Sequence, residues 1–142
     1  MILKGKTVVK GKAEGYALVS KGGIVWSHGV DPQKGIVDDT KSDVYGQSIK
    51  DKIFVYPHGK GSTTSSTWIL EAVRTGNAPR AIINAKTEII IATGAILGNK
   101  LYGHEMPVIH EIDRDPVEAI STGDYVRVDG DAGTIEIIKK AQ

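Results

Sequence analysis

A single α/β domain of mixed strand order, with few helices, is the fold class that this chain of 142 residues predicts. Three observations carry that reading. Short Val- and Ile-rich runs bounded by glycine or proline recur along the whole chain, whereas only three stretches repeat at helical spacing. No linker, internal repeat or low-complexity tract divides it. A chain of this length buries roughly two-thirds of its unfolded surface, enough for one real core over 1–142.

The elements follow in order. Lys6 to Lys10 and Gly15 to Ser20 read as short strands, and Gly22-Gly23 punctuates before Ile24-Val25-Trp26. His28 to Lys41 carries Gly29, Asp31-Pro32, Gly35 and Asp38-Asp39, so it reads as loop with one extended piece at Ile36-Val37. Ile53-Phe54-Val55-Tyr56, stopped by Pro57, suits a buried central strand. The spacing of Ile69, Leu70, Ala72 and Val73 predicts a helix from about Ser66 to Arg74, with Ser65 or Ser66 as N-cap and Gly76 just past its end. Ala81 to Asn84 is a further apolar strand.

Lys86 to Leu97 fits either period. Ile89, Ile90, Thr93, Ile96 and Leu97 mark one helical face, which predicts a helix packed through that face and broken near Gly98-Asn99. Pro107 to Ile109 reads as strand, and Asp115 to Ile120 as a short helix with proline in its first turn. Tyr125 to Val128 and Thr134 to Ile138 alternate at period two around Gly130 and Gly133, a terminal hairpin.

Charge and composition exclude several classes of function. Eighteen basic and seventeen acidic residues leave a net charge of +1, and aromatics make up only 6%, so neither a basic footprint nor a stacking surface for nucleic acid is present. The absence of cysteine excludes disulfides, thiolate zinc sites and a cysteine-held iron–sulfur cluster on this chain. The N-terminal apolar run is too short for a signal peptide, and none approaches the roughly 20 residues of a membrane span. A cytoplasmic protein with no nucleic-acid or membrane partner is expected.

The segment richest in chemistry is Pro57-His58-Gly59-Lys60-Gly61-Ser62-Thr63-Thr64-Ser65-Ser66, where a strand hands over to a helix. Free N–H groups and the positive end of the helix dipole would converge there on the Ser62 hydroxyl, a place to hold an anion or stabilise an alkoxide. It is not a nucleotide P-loop, because Gly61 separates Lys60 from Ser62 and Phe54 stands where the upstream glycine belongs. Nor is it a hydrolase nucleophile elbow, because Lys60 and Thr64 occupy the two glycine positions. A glycine-rich capping turn and an anion or substrate site both remain open on the residues alone.

Other motifs are weaker. His104-Glu105 starts like a zinc-protease helix, but Val108 replaces the second histidine and Pro107 breaks the helix. His28, His58, His104 and His110 otherwise lack ligand spacing. Ser27-His28-Gly29 after Gly22-Gly23 is faintly like a phosphohistidine segment, though Val30-Asp31-Pro32 replaces the small-residue helix that should follow, so it reads as a turn. Asp38, Asp39 and Asp43 read as solvated, and Trp26 and Trp68 as core, with Trp68 near enough to wall the site.

The run Gly59 to Ser65, then Asn77-Ala78-Pro79-Arg80-Ala81-Ile82-Ile83-Asn84, then Glu88 with Ile89 to Leu97 and Met106-Pro107-Val108, resembles one family. Gly11 to Val19 and Gly29 to Gly35 match the same pattern in order, so the likeness spans roughly residues 5 to 138. It resembles the small subunits of archaeal phosphomevalonate dehydratases, within the aconitase X group. That resemblance implies a swivelling β/β/α domain like the mobile C-terminal domain of aconitase. It also implies a heterodimer whose large catalytic subunit carries the iron–sulfur cluster, of the 4Fe-4S type. The implied reaction removes water from a phosphorylated hydroxy acid, (R)-5-phosphomevalonate, to give trans-anhydromevalonate 5-phosphate on the way to isoprenoids. Ser62 matches the family's proton acceptor, and Gly59, Lys60, Gly61, Thr63 and Thr64 would line the substrate; Thr63-Thr64 directly after the serine departs from the usual pattern. Three other readings compete: a hydroxyproline-type dehydratase subunit of the same family, a non-catalytic anion-binding or phosphocarrier domain using His28 or His58, and a purely structural regulatory subunit.

Overall fold

A computed structural model of the chain describes residues 1–60 and 64–142. Its elements run β1 (Ile2–Lys4), β2 (Lys6–Val9), β3 (Lys12–Val19), β4 (Val30–Asp31), β5 (Ile36–Val37), β6 (Ile53–Tyr56), α1 (Ser65–Arg74), β7 (Ala81–Asn84), α2 (Ile89–Tyr102), β8 (Val108–His110), α3 (Pro116–Ala119), β9 (Tyr125–Asp129) and β10 (Thr134–Lys139). The described residues form an eight-stranded sheet in the order β1-β10-β9-β3-β6-β7-β8-β2, plus a β4-β5 ribbon. Strands β3, β6, β7 and β8 are parallel neighbours, whereas β9, β10 and β1 continue antiparallel from β3.

The two end strands of that sheet are consecutive in sequence and share Gly5 as their corner. The chain therefore pairs with β10 through residues 2–4 and with β8 through residues 6–9, which draws the sheet's two ends together. Only glycine fits the corner: a Cβ on Gly5 would sit 2.8 Å from the His110 carbonyl oxygen and 2.5 Å from Ile112 Cδ1. Inside the curl lies one core of Leu3, Ala17, Ile53, Val55, Ala81, Ile83, Ile109, Val126, Val128 and Ile135.

The other face of the parallel strands is covered by α1 and α2. Phe54, Tyr56, Ile82 and Val108 pack there against Ile69, Ile91 and Ala95, with Trp26 and Val30 from the connection after β3. All four residues of β6 are buried, as its uninterrupted apolar run requires of a strand covered on both faces. The layers are thus antiparallel sheet, parallel sheet and helices, the β/β/α arrangement expected. Among the described residues no helix is long and apolar enough to cross a membrane.

Several expectations are corrected. Strand β1 has no counterpart in the sequence reading, because three residues exposed, buried, exposed are too few to show a period. The loop at 28–41 holds a second extended piece, Val30–Asp31, paired with Ile36–Val37. Thr64, not Ser65 or Ser66, is the N-cap of α1, and it makes no side-chain cap bond. Gly76 does follow the helix at φ +79°, with Asn77 N–H on Ala72 O and Gly76 N–H on Val73 O completing the glycine cap.

The largest correction concerns α2. It runs through Gly98-Asn99 to Tyr102 and ends at Gly103 in the left-handed region. Two interior glycines cost about 1 kcal/mol each in helix propensity. Here they are contact points: a Cβ on Gly94 would lie 3.1 Å from Ser66 O, and one on Gly98 would lie 3.1 Å from Val73 Cγ2. Close approach to α1 lets Ile91, Ala92 and Ala95 become buried, and one buried isoleucine returns about 1.5–3 kcal/mol. The buried face is therefore small-residue, and the large apolar face expected to pack points outward. Ile89 is 81% exposed, Ile96 42% and Leu97 38%, with Leu101 and Tyr102 continuing the row.

Candidate functional site

Parallel pairing brings the carboxyl ends of β3, β6, β7 and β8 to one edge of the sheet, and α1 and α2 both start there. Neither helix carries an acidic residue in its first turn, but Glu88 is the N-cap of α2, so of the two only α1 starts without a carboxylate of its own among the described residues. In open α/β sheets this edge is where ligands bind.

The segment after β6 is bolted to the connection after β3. Ile24 forms a parallel bridge with Gly59: its N–H donates to His58 O at 3.1 Å, and Lys60 N–H donates to Ile24 O at 2.8 Å. Beside it, Gly23 leaves room for two side chains, since a Cβ there would lie 3.0 Å from both His58 Cε1 and Lys60 Cε. Asp43, read as merely solvated, fixes the turn that carries this glycine: it accepts from Ser20 Oγ at 2.6 Å and from Lys21 N–H at 2.8 Å. Lys60 is exposed, and no carboxylate pairs with it among the described residues.

Beneath the segment lies a polar floor that the sequence reading missed. Trp26 Nε1–H donates to the Tyr56 hydroxyl at 2.9 Å, both side chains being buried. Burial pushes the Tyr56 phenol up to about 12, against the opposing pull of Trp26 and Asn84, so it stays protonated at neutral pH. Asn84, fully buried at the end of β7, donates to the Tyr56 carbonyl at 3.0 Å and accepts from Thr87 Oγ1 at 2.8 Å. Thr87 N–H in turn donates to His110 Nδ1 at 3.0 Å, which leaves the ring proton on Nε2, facing Glu111 at 3.3 Å. Pro57 O accepts from Ala85 and Lys86 N–H. The ends of β6, β7 and β8 are thereby locked side by side. A lone asparagine closing the apolar run Ala81-Ile82-Ile83 was the available signal.

Of the six residues expected to form the site, Gly59, Lys60 and Thr64 come together at this edge. Gly61, Thr63 and the expected base Ser62 lie outside the described residues. Thr64 opens α1, and with Pro32, Thr67, Trp68 and Glu71 it lines a cleft of about 420 Å³. Trp68 walls that cleft, anchored by Nε1–H to Val30 O at 2.7 Å, with the His28 ring edge-on to it at 4.7 Å. Glu71 at the cleft mouth is held down at about 2 by hydrogen bonds from Arg74 and Gln33, so it remains an anion. His104 bonds the Pro79 carbonyl instead of approaching the site. Among the described residues, no group of three His, Asp or Glu is placed to hold a metal ion.

The family model described as the aconitase X swivel domain matches residues 2–137. The phosphomevalonate dehydratase small subunit of Thermococcus kodakarensis is 44% identical over 142 residues, covering all of both chains. Its counterpart from Methanosarcina acetivorans is 44% identical over 137 residues, covering 96% of this chain and 91% of that one. The crystal structure of Thermococcus kodakaraensis aconitase X in its holo-form superposes with a TM-score of 0.89 at 44% identity, covering 98% of this chain and 99% of that one.

Proposed function

The chain belongs to the aconitase X swivel-domain family, and from that premise we propose that it is the small subunit of a hydro-lyase. As a single domain over 1–142, it joins a large catalytic subunit to convert (R)-5-phosphomevalonate into trans-anhydromevalonate 5-phosphate. The observation that carries this reading is near-full-length 44% identity to dehydratase small subunits from two archaeal genera. The geometry supports it through Lys60, a cation without a carboxylate partner among the described residues, at the edge where two helices begin.

In the reaction a base removes the proton from the carbon next to the carboxylate. That C–H electron pair becomes the double bond, and the neighbouring C–O bond breaks with its electron pair leaving on hydroxide; the hydroxide takes up a proton, formally the one given to the base, so that the net loss is one water. We assign the base to Ser62. The species that accepts a carbon-bound proton is the serine alkoxide, which forms only where fixed donors and positive charge stabilise it in a water-poor site. The start of α1 and Lys60 provide part of that field, and closure by the large subunit removes water. Gly61 would let the backbone approach substrate with no Cβ in the way, while Thr63 and Thr64 offer hydroxyls to its phosphate or carboxylate; Gly59, expected beside them, is buried, and a Cβ there would face Ile91 and the Ile24 carbonyl instead of substrate. With no cysteine and no metal-holding group among its described residues, this chain does not fit an iron–sulfur cluster. The 4Fe-4S cluster belongs in this proposal to the large subunit, where it would supply Lewis acidity toward the hydroxyl.

The test is Ser62→Ala in the two-subunit complex. Turnover of phosphomevalonate should fall at least about 10²-fold with an unchanged melting temperature; near-normal turnover would remove Ser62 from the mechanism. Turnover of hydroxyproline, but not phosphomevalonate, by the native complex would reassign the substrate.

A further inference from the structure

One strap of chain, Ile24 to Val30, touches the candidate segment on both sides. At the near end Ile24 brackets Gly59 through two backbone hydrogen bonds, donating to His58 O and accepting from Lys60 N–H. At the far end the Ser27 hydroxyl meets the Thr64 hydroxyl at 2.7 Å, across 37 residues of sequence. Between them Trp26 is anchored from below by Tyr56, and past Ser27 the Val30 carbonyl takes the Trp68 indole N–H.

The strap is itself fixed. Gly29 and Val30 N–H both point to Trp26 O, and Gly29 O accepts from Asp38 and Asp39 N–H. His28 is held at φ +65°, and a Cβ on Gly29 would collide with the Val25 carbonyl. Trp26 is 1% exposed and Ser27 5%. Thr64, by contrast, is exposed, so water can reach the segment that Ser27 holds.

We infer that Ser27 is a positioning residue of the candidate site: from a rigid strap it fixes the Thr64 hydroxyl at the edge where Lys60 and the start of α1 meet. This rests on the reading, proposed above, of Thr64 as a residue that touches substrate. The Ser27 hydroxyl, though buried, reaches outward to the exposed residue that opens α1, where small displacements of a group that touches substrate cost turnover far more than folding.

The experiment uses the complex of this chain with its large subunit. Ser27→Ala should lower kcat on phosphomevalonate about tenfold with KM within twofold and an unchanged melting temperature. Ser27→Thr, which keeps the hydroxyl, should recover kcat to within about threefold of the native value. Hydrogen exchange, followed by mass spectrometry, should quicken in Ser27→Ala at the peptide covering Thr64 to Trp68 and not at residues 57–60. Unchanged kcat in Ser27→Ala, a Ser27→Thr variant as slow as the alanine, or unaltered exchange at 64–68 each overturns the inference. If the native complex fails to turn over phosphomevalonate, the proposed function falls. Exchange in the two variants then decides the positioning claim alone, with Ser27→Thr expected to match the native protein. Should Ser27→Ala not fold, Thr64→Val removes the same contact from the other side and must show the same exchange change.

Discussion

Around Gly5 and around Lys60 the chain is held in place by opposite means. At Gly5 the flanking strands enter backbone ladders with β10 and β8, and Gly5 N–H itself donates to Gly133 O at 2.9 Å. Around Lys60 the described residues form no ladder beyond a single bridge, and the fixing falls to named side chains: Ser27 on Thr64, Trp26 on Tyr56 and Asn84 on the Tyr56 carbonyl. Ladders tolerate almost any side chain but no misplaced Cβ, whereas a side-chain brace fails by the loss of one atom. The wall should therefore answer to bulk and the edge to chemistry.

The widest separation should come from Gly5→Ala. Forcing a Cβ against the His110 carbonyl is an overpacking fault worth about 2 kcal/mol. That should appear as a melting temperature roughly 6–10 °C lower, with turnover per folded complex unchanged. A loss of turnover at native stability would erase the distinction between wall and edge.

Asp124 sharpens the contrast, because it is the place where the wall does depend on one side chain. Its fully buried carboxylate accepts from Ser121 N–H, Ala141 N–H and Lys140 Nζ at 2.7–2.9 Å. Burial pushes its pKa up, but Lys140 and the two amides outweigh burial and hold it below the ordinary carboxylate value. A depressed folded pKa stabilises above the unfolded value, near 4, and that contribution is lost as pH falls through the folded one. Asp124→Asn should cost about 1.5 kcal/mol by chemical denaturation at pH 7, and the gap to the native protein should shrink as pH drops below about 4. A gap independent of pH would mean the charge contributes nothing.

The smallest effect is expected at the edge itself. Lys60→Ala should weaken KM or turnover about fivefold, roughly 1 kcal/mol, with a melting temperature unmoved. Destabilisation without kinetic change would make Lys60 a structural residue.

The sequence was most readable where one periodicity ruled. β6, β7, α1 and the β9-β10 hairpin emerge from apolar runs, a glycine stop and period-two alternation, and their bounds agree with the structure to within two residues. The helix α2 misled because large apolar residues mark its solvent face while small ones mark the packed face, and a count of large residues cannot see a contact made through Gly94 and Gly98. For the site, the glycine-lysine segment announced itself by composition. Its supports did not, since Ser27 and Thr64 lie 37 positions apart and only the tertiary fold makes them neighbours.

Sheet closure through Gly5 has a consequence for synthesis on the ribosome. Residues 2–9 emerge well before their partners β8 and β10, which occupy residues 108–110 and 134–139. At about 5–20 residues per second, those strands wait roughly 5–25 s for a mate. For that interval residues 2–9 are unpaired strand, which makes them a segment in need of a chaperone and able to catch a neighbouring polypeptide.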